Sequence, residues 1–361
     1  MLIFDAHLDL AWNAVEWNRN LEWPVGKIRE FESQFDGIVP GEAMVSFPEL
    51  RNAGIGIVIA TLLPRLHRKS FELTFYQGRE STYAAAKGQL AYYEAMAERG
   101  VLRKLSSADD LTEHAREWQS ADQSADSAST PPIGYLLSME GASPILSPKQ
   151  VEEWFHAGLQ IVGPAHYGPN EYCHGTGSEG PLTSDGVELL KEMNRVGMLL
   201  DATHLADESF WQALDVFEGP VLASHHNCRA LVPGDRQLDD DQIRALIERG
   251  AVIGAALDNW MLKPEYIKKV TPPETVSLED VVDQIDHVCQ LAGNALHSGI
   301  GTDLDGGFGK EQSPGDMDSI EYLPKIAEIL ERRGYSQEDS ERILSRNFIQ
   351  FFQKNLPEKV S

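Results

Sequence analysis

Histidines and carboxylates recur at the ends of apolar runs in this chain, and these side chains ligate divalent metals and move protons. The first run, residues 1–6, leads into His7-Leu8-Asp9. Later runs end at Glu140, His166, His204, His225 and Asp303. Residues i and i+2 of a strand share a face, so His7 and Asp9 can enter one site. Glu140 has two oxygens to offer and can bridge two cations. Asp201 precedes His204 by three residues and is a candidate partner for its ring. Neighbours in a strand face opposite sides, so only one of His225 and His226 can point into a site. The register after residues 221–223 selects His225. Asp303 and Asp305 repeat the i, i+2 spacing, and either can take a proton from water and hand it to a leaving amine.

Two further residues suit substrate contact. His166 can polarise a carbonyl or stabilise an oxyanion. Arg236, after Pro233-Gly234-Asp235, carries a planar fork that matches a carboxylate. Each residue also has an ordinary structural explanation. Asp9 can cap a turn, Glu140 can start a surface loop, Asp303–Gly307 can be an Asp-Gly turn, and Arg236 can pair with Asp235. The loop residues Cys173 and His174 form a weaker candidate pair. What favours chemistry is the ordered set His-x-Asp, Glu, His, His, with each member at a different strand end.

Strands at such spacing need a scaffold that gathers their ends. Strand-like runs cover residues 1–6, 55–63, 133–139, 159–165, 198–201, 221–223, 251–257 and 298–301. Most are continuously apolar, the pattern of parallel strands buried on both faces. Helical periodicity falls between many of them, at 79–99, 184–196, 239–249, 278–292 and 322–333. Eight alternating units predict an α/β fold, a (β/α)8 TIM-type barrel, with an open doubly wound sheet as the structural alternative. Side chains at the C-terminal ends of barrel strands converge at one mouth. The chain has 361 residues, against about 250 for a plain barrel, so one domain over 1–361 with insertions is expected. The segment 11–50 reads as an extended loop over the mouth. Residues 119–132, rich in Ser, Ala and Asp, read as an exposed loop, and 336–353 as a C-terminal helix packed outside.

Composition narrows the partners. Hydrophobic residues make up 42%, so a sizeable core is expected. The net charge of −25 repels phosphate backbones and anionic lipid, which predicts no nucleic-acid or membrane partner. Three widely spaced cysteines without a CxxC pair predict free thiols in a cytoplasmic protein. The N-terminus has no basic region followed by an apolar stretch, so no secretory signal is expected.

With these residues in place, the chain resembles the membrane dipeptidase (renal dipeptidase-like) family of zinc peptidases, within the amidohydrolase-like metal-dependent hydrolases. The resemblance rests on DAHLDLAWN at 5–13, MEGA at 139–142, GPLTSDGVELLKEMNRVGMLLDATH at 180–204, SHHNCRAL at 224–231 with Arg236, and GTDLDGG at 301–307. Related barrel hydrolases often use His-x-His and a carboxylated lysine, and no lysine ends a strand-like run here. The resemblance implies two zinc ions: His7 and Asp9 on one, His204 and His225 on the other, and Glu140 bridging. It implies Asp303 as proton shuttle, with Asp305 as the alternative. It places His166 at the tetrahedral intermediate and Arg236 at the substrate's C-terminal carboxylate. It also suggests a homodimer. The activity expected is zinc-dependent hydrolysis of dipeptides, including those with a C-terminal D-residue, by hydroxide made available near neutral pH. Two rivals stand beside it: a dinuclear hydrolase of another small amide, lactam or ester, and a non-catalytic barrel that binds without turnover. Leu8, where asparagine is common, and Gly-Ala-Ser at 141–143 bear on substrate preference.

Overall fold

The computed structural model describes residues 1–35, 41–66, 75–121 and 131–358. Nine parallel strands form its sheet: β1 (Ile3–Leu8), β2 (Ile55–Leu62), β3 (Leu102–Lys104), β4 (Ile133–Glu140), β5 (Ile161–Gly163), β6 (Leu199–Asp201), β7 (Val221–Leu222), β8 (Ile253–Ala255) and β9 (Ser298–Ile300). Their order is β7-β6-β5-β4-β2-β1-β9-β8, and a parallel bridge from Ala223 to Ile253 joins the two ends of that path. The eight strands on the path form the TIM-type barrel. The short β3 is an addition that pairs only with the start of β4, through Leu102–Ile133 to Lys104–Tyr135.

The apolar runs explain this closure. Every residue of β1, β2 and β4 is buried, because helices cover the outer face while neighbouring strands fill the interior. Parallel strands need long crossovers, and helices such as Arg79–Glu98, Ser184–Val196, Asp240–Glu248 and Leu278–Ala292 supply them. Helix Asp240–Glu248 starts on a capping box in which Asp239 accepts from the Gln242 amide and the Gln242 side chain returns the bond. Closure also demands close backbone contact. A Cβ on Gly301 would lie 1.8 Å from the Ser224 carbonyl oxygen, so only glycine lets the end of β9 approach the end of β7.

One expectation changes in detail. The segment 11–50 is not an extended loop: it carries helices Leu10–Glu16 and Val25–Glu32 and the start of Phe47–Asn52. Their short apolar stripes bury Leu10, Trp12, Val25, Ile28 and Phe47. Such one- and two-turn helices give little periodic signal. Most of the loop expected at 119–132 lies outside the described residues; helix Ala108–Ser120 runs up to it. The C-terminal segment is helical from Gln337 to Asn355, with one wider turn at Arg342–Arg346. Phe348 and Phe352 stack on Phe4 of β1 at ring separations of 5.2 and 5.7 Å. Each such contact contributes about 0.5–1.5 kcal/mol beyond simple burial.

Candidate active site

One rule of register builds the mouth of the barrel. His7 lies near the end of β1 and Glu140 is the last residue of β4. His166, His204, His225 and Asp303 each stand three residues beyond the end of β5, β6, β7 and β9. This repeat turns positions scattered along the chain into one ring of side chains.

Glu140 is the hub. Its Oε1 lies 3.2 Å from His204 Nε2 and 3.3 Å from His225 Nε2. Its Oε2 lies 3.7 Å from His7 Nε2 and 4.0 Å from His166 Nε2. His7 Nε2 is also 3.7 Å from Asp9 Oδ1 and 3.8 Å from Asp303 Oδ1. Three triplets of potential ligands follow, each with its atoms within 4.8 Å of one another: His7-Glu140-His225, Glu140-His166-His204 and His7-Asp9-Asp303. His7 Nε2, both oxygens of Asp9, Glu140 Oε1 and His225 Nε2 are buried with no hydrogen-bond partner. Buried polar atoms left unpaired are costly, so a converging set of them fits bound cations.

The far sides of the rings are tied down. His204 Nδ1 meets Thr176 Oγ1 at 2.9 Å, and His225 Nδ1 meets Ser224 Oγ at 2.9 Å. Such contacts fix ring orientation and leave Nε2 facing the centre. Asp201 does not serve His204, as its position suggested. Its Oδ1 accepts from the Thr203 and Ser224 amides and the Thr203 hydroxyl, which fixes the loop that carries both histidines. Cys173 and His174 lie outside every triplet. The Cys173 amide donates to Asn170, and His174 Nδ1 contacts the Pro181 carbonyl. His226 is buried but also lies outside the triplets.

Close packing of these charges shifts the members of the cluster in different directions. Burial opposes protonation of His7, but Glu140, Asp9 and Asp303 outweigh it and push the imidazole up to about 10. Burial is also the main cause that drives Asp303 well above the usual carboxylate range. His7 opposes it, and the charges of Asp9 and Glu140 reinforce it. For Glu140, burial works against ionisation, yet His166, His7 and contacts from His204 and His225 hold it well below the ordinary value. His166 goes the other way. Burial keeps it neutral against the pull of Glu140, and nearby His204, Arg65 and Arg236 act in the same direction as burial.

The ring opens into a cavity of about 340 Å³ lined by Glu140, His166, His204, Arg236 and Asp303 among others. Arg236 is buried, and its Nη2 donates to the His225 carbonyl at 2.9 Å while Nη1 has no partner. Asp235 is not its partner, since it accepts from the Gly177 amide. Asp305 lies outside the triplets. Its carboxylate accepts from the Met44 and Val45 amides at 2.9 Å and lies 3.4 Å from Arg19 Nη1. A larger hollow of about 680 Å³, near Met1, Ala327 and Arg346, has no histidine or cysteine in its lining.

Two residues share the strand-end register without standing out in the sequence. Arg65 lies three residues beyond β2, and Asp258 three beyond β8. Both line the cavity. Arg65 follows a proline among other basic residues and Asp258 precedes an Asn-Trp pair, so neither resembles a ligand motif. Their only signal is the spacing from the strand ends.

A TIM-type barrel with a cluster of histidines and carboxylates at the C-terminal ends of its strands defines the class of metal-site barrels. Within that class, the chain belongs to the membrane dipeptidase family, peptidase family M19, whose model matches residues 1–359. The dipeptidase tcpJ of Claviceps purpurea is 31% identical over 222 residues, 59% of this chain and 49% of that protein. The dipeptidase verJ of Clonostachys rogersoniana is 29% identical over 222 residues, 60% of this chain and 54% of that protein. The chain thus spans about half the length of these curated relatives. Among solved structures, a family M19 metallopeptidase described as dipeptidase AC superposes with a TM-score of 0.80 at 20% identity, covering 99% of both chains. A metallopeptidase from Rhodobacter sphaeroides, liganded with a phosphinate mimic of L-Ala-D-Ala, gives 0.78 at 20% identity, again over 99% of both. At that identity the likeness is one of fold.

Proposed function

We propose that this chain is a zinc-dependent dipeptidase. The observation that carries the proposal is the convergence of His7, Asp9, Glu140, His204 and His225 with buried, unpaired ligand atoms. The donors are imidazole nitrogens and carboxylate oxygens, the set that suits Zn²⁺. His7 and Asp9 would hold one ion, and His204 and His225 a second. Glu140 would bridge, since Oε2 faces His7 while Oε1 faces His204 and His225. When bound, the ions supply Lewis acidity and make hydroxide available near neutral pH.

The remaining roles belong to the chain's own side chains. Asp303, whose carboxyl is pushed up in this cluster, takes the proton from the attacking water and releases it to the departing amine. His166, kept neutral by burial, contacts the oxygen of the scissile carbonyl. The free Nη1 of Arg236 pairs with the substrate's C-terminal carboxylate. The C-terminal residue is read as either L or D, because a neighbour of the same fold binds a mimic of L-Ala-D-Ala.

The test is amine release from L-Ala-L-Ala and L-Ala-D-Ala by zinc-loaded protein, with and without a chelator. Chelator-sensitive cleavage of either dipeptide supports the reading. Intact protein that holds two zinc ions and cleaves neither would move the assignment to another small amide, lactam or ester.

A further inference from the structure

Three cations line the cavity, and two of them have evident employment. Lys268 Nζ lies 3.4 Å from Asp258 Oδ2 and 4.8 Å from the centre of the Trp260 ring. Arg236 is anchored on the His225 carbonyl. The third, Arg65, has no carboxylate within 4.0 Å among the described residues, and its Nε is buried without a hydrogen-bond partner. An arginine brought to a cavity wall and left unpaired is a poor structural device. Its Nε–H is desolvated without a hydrogen bond to offset the cost.

Arg65 is nonetheless held in place. Its guanidinium carbon lies 5.3 Å from the Trp12 ring centre and 4.8 Å from that of Phe75. Such faces attract and orient a guanidinium. Gly307 gives it room on the third side. A Cβ there would stand 3.1 Å from Arg65 Nη1, and the glycine's φ of +98° suits no other residue well.

Arg65 and Arg236 lie at opposite ends of the cluster. Arg65 stands three residues beyond β2, Arg236 is anchored on His225 three residues beyond β7, and these two strands lie four places apart in the eight-strand ring. If the substrate's α-carboxylate lies on Arg236 and its carbonyl over Glu140, the N-terminal residue extends toward Arg65. A free amine is repelled there, and a side-chain carboxylate is bound bidentately.

We infer that Arg65 is a specificity residue that receives a side-chain carboxylate, so that the preferred substrates are dipeptides with Glu or Asp at the N-terminal position. This rests on the dipeptidase reading. It concerns one wall of the cavity and leaves the metal centre as described.

The experiment compares kcat/KM for L-Glu-L-Ala and its uncharged isostere L-Gln-L-Ala, in the zinc-loaded wild type and in Arg65→Met and Arg65→Lys. The wild type should favour Glu over Gln on the order of ten- to a hundredfold, the range of a charge-assisted bond. Arg65→Met should bring that ratio close to one, and Arg65→Lys should keep part of it. A wild-type ratio near one overturns the inference. So does an equal fall for both substrates in Arg65→Met, which is what a purely structural arginine would give. A preference for L-Ala-L-Glu over L-Ala-L-Gln, with none at the N-terminal residue, overturns the placement. If no dipeptide is cleaved, the dipeptidase reading fails separately, and tryptophan fluorescence, with Trp12 beneath Arg65, decides the subsite. Tighter binding of L-Glu-L-Ala than of L-Gln-L-Ala, lost in Arg65→Met, supports it; equal binding overturns it.

Discussion

Asp303 and Asp305 are two residues apart and face different structures. Asp303 Oδ1 lies 3.8 Å from His7 Nε2 in the ligand cluster, while the Asp305 carboxylate accepts from the Met44 and Val45 amides. The strand rule that puts i and i+2 on one face does not apply here. Strand β9 ends at Ile300, and both aspartates have positive φ, 58° and 63°. The turn therefore splits the pair between the cluster of histidines and carboxylates and the segment packed over it.

This split predicts two different variants. Asp303→Asn should lower kcat by about 10²–10⁴-fold, the usual contribution of a positioned proton carrier. Its zinc content, read by atomic absorption, should stay near wild type. A variant that loses zinc would make Asp303 a ligand.

Asp305→Asn should keep most of its turnover and change the pH dependence of stability instead. Burial pushes the Asp305 carboxyl up from 3.8 to about 6, against the pull of Arg19 and two backbone amides. Between these values the folded state holds a proton that the unfolded state has released. Stability from this group therefore falls as pH rises from about 4 to about 6. Urea titrations across that range should show a shallower slope for Asp305→Asn. An unchanged slope would remove Asp305 as its source.

Zinc binding should release protons. His7 is pushed up to about 10 by the three carboxylates around it, and imidazole must be neutral to ligate. Near pH 7, calorimetric titration of chelator-stripped protein in buffers of different ionisation enthalpy should show about one proton displaced at this residue. Affinity should weaken as pH falls. Heats that do not depend on the buffer would mean that His7 is not a ligand.

Arg236→Met should cost on the order of a hundredfold in kcat/KM for dipeptides with a free carboxylate, through loss of a charge-assisted contact. Turnover of dipeptide amides should be affected little. Equal losses for both would show that Arg236 acts by supporting the His225 loop through its carbonyl contact rather than by holding substrate.

Much of the barrel is legible in the sequence because its strands are buried on both faces and so are continuously apolar. The eight runs from 1–6 to 298–301 each coincide with or contain most of a strand. Their ends carry His7, Glu140, His166, His204, His225 and Asp303, residue types with few other reasons to recur there. The short helices within 10–52 left no such trace, because one or two turns give too few repeats of the 3.6-residue period.

What the sequence by itself determined is the set of strands and the chemical character of their ends, since period and residue type are local properties. Only the tertiary structure decided which atoms meet. It separated Asp303 from Asp305 through a left-handed turn, gave His204 to Thr176 rather than to Asp201, and brought Arg65 and Asp258 to the cavity wall. These outcomes depend on barrel closure and loop path. Closure sums the registers of strands far apart in the chain, and no local pattern records that sum.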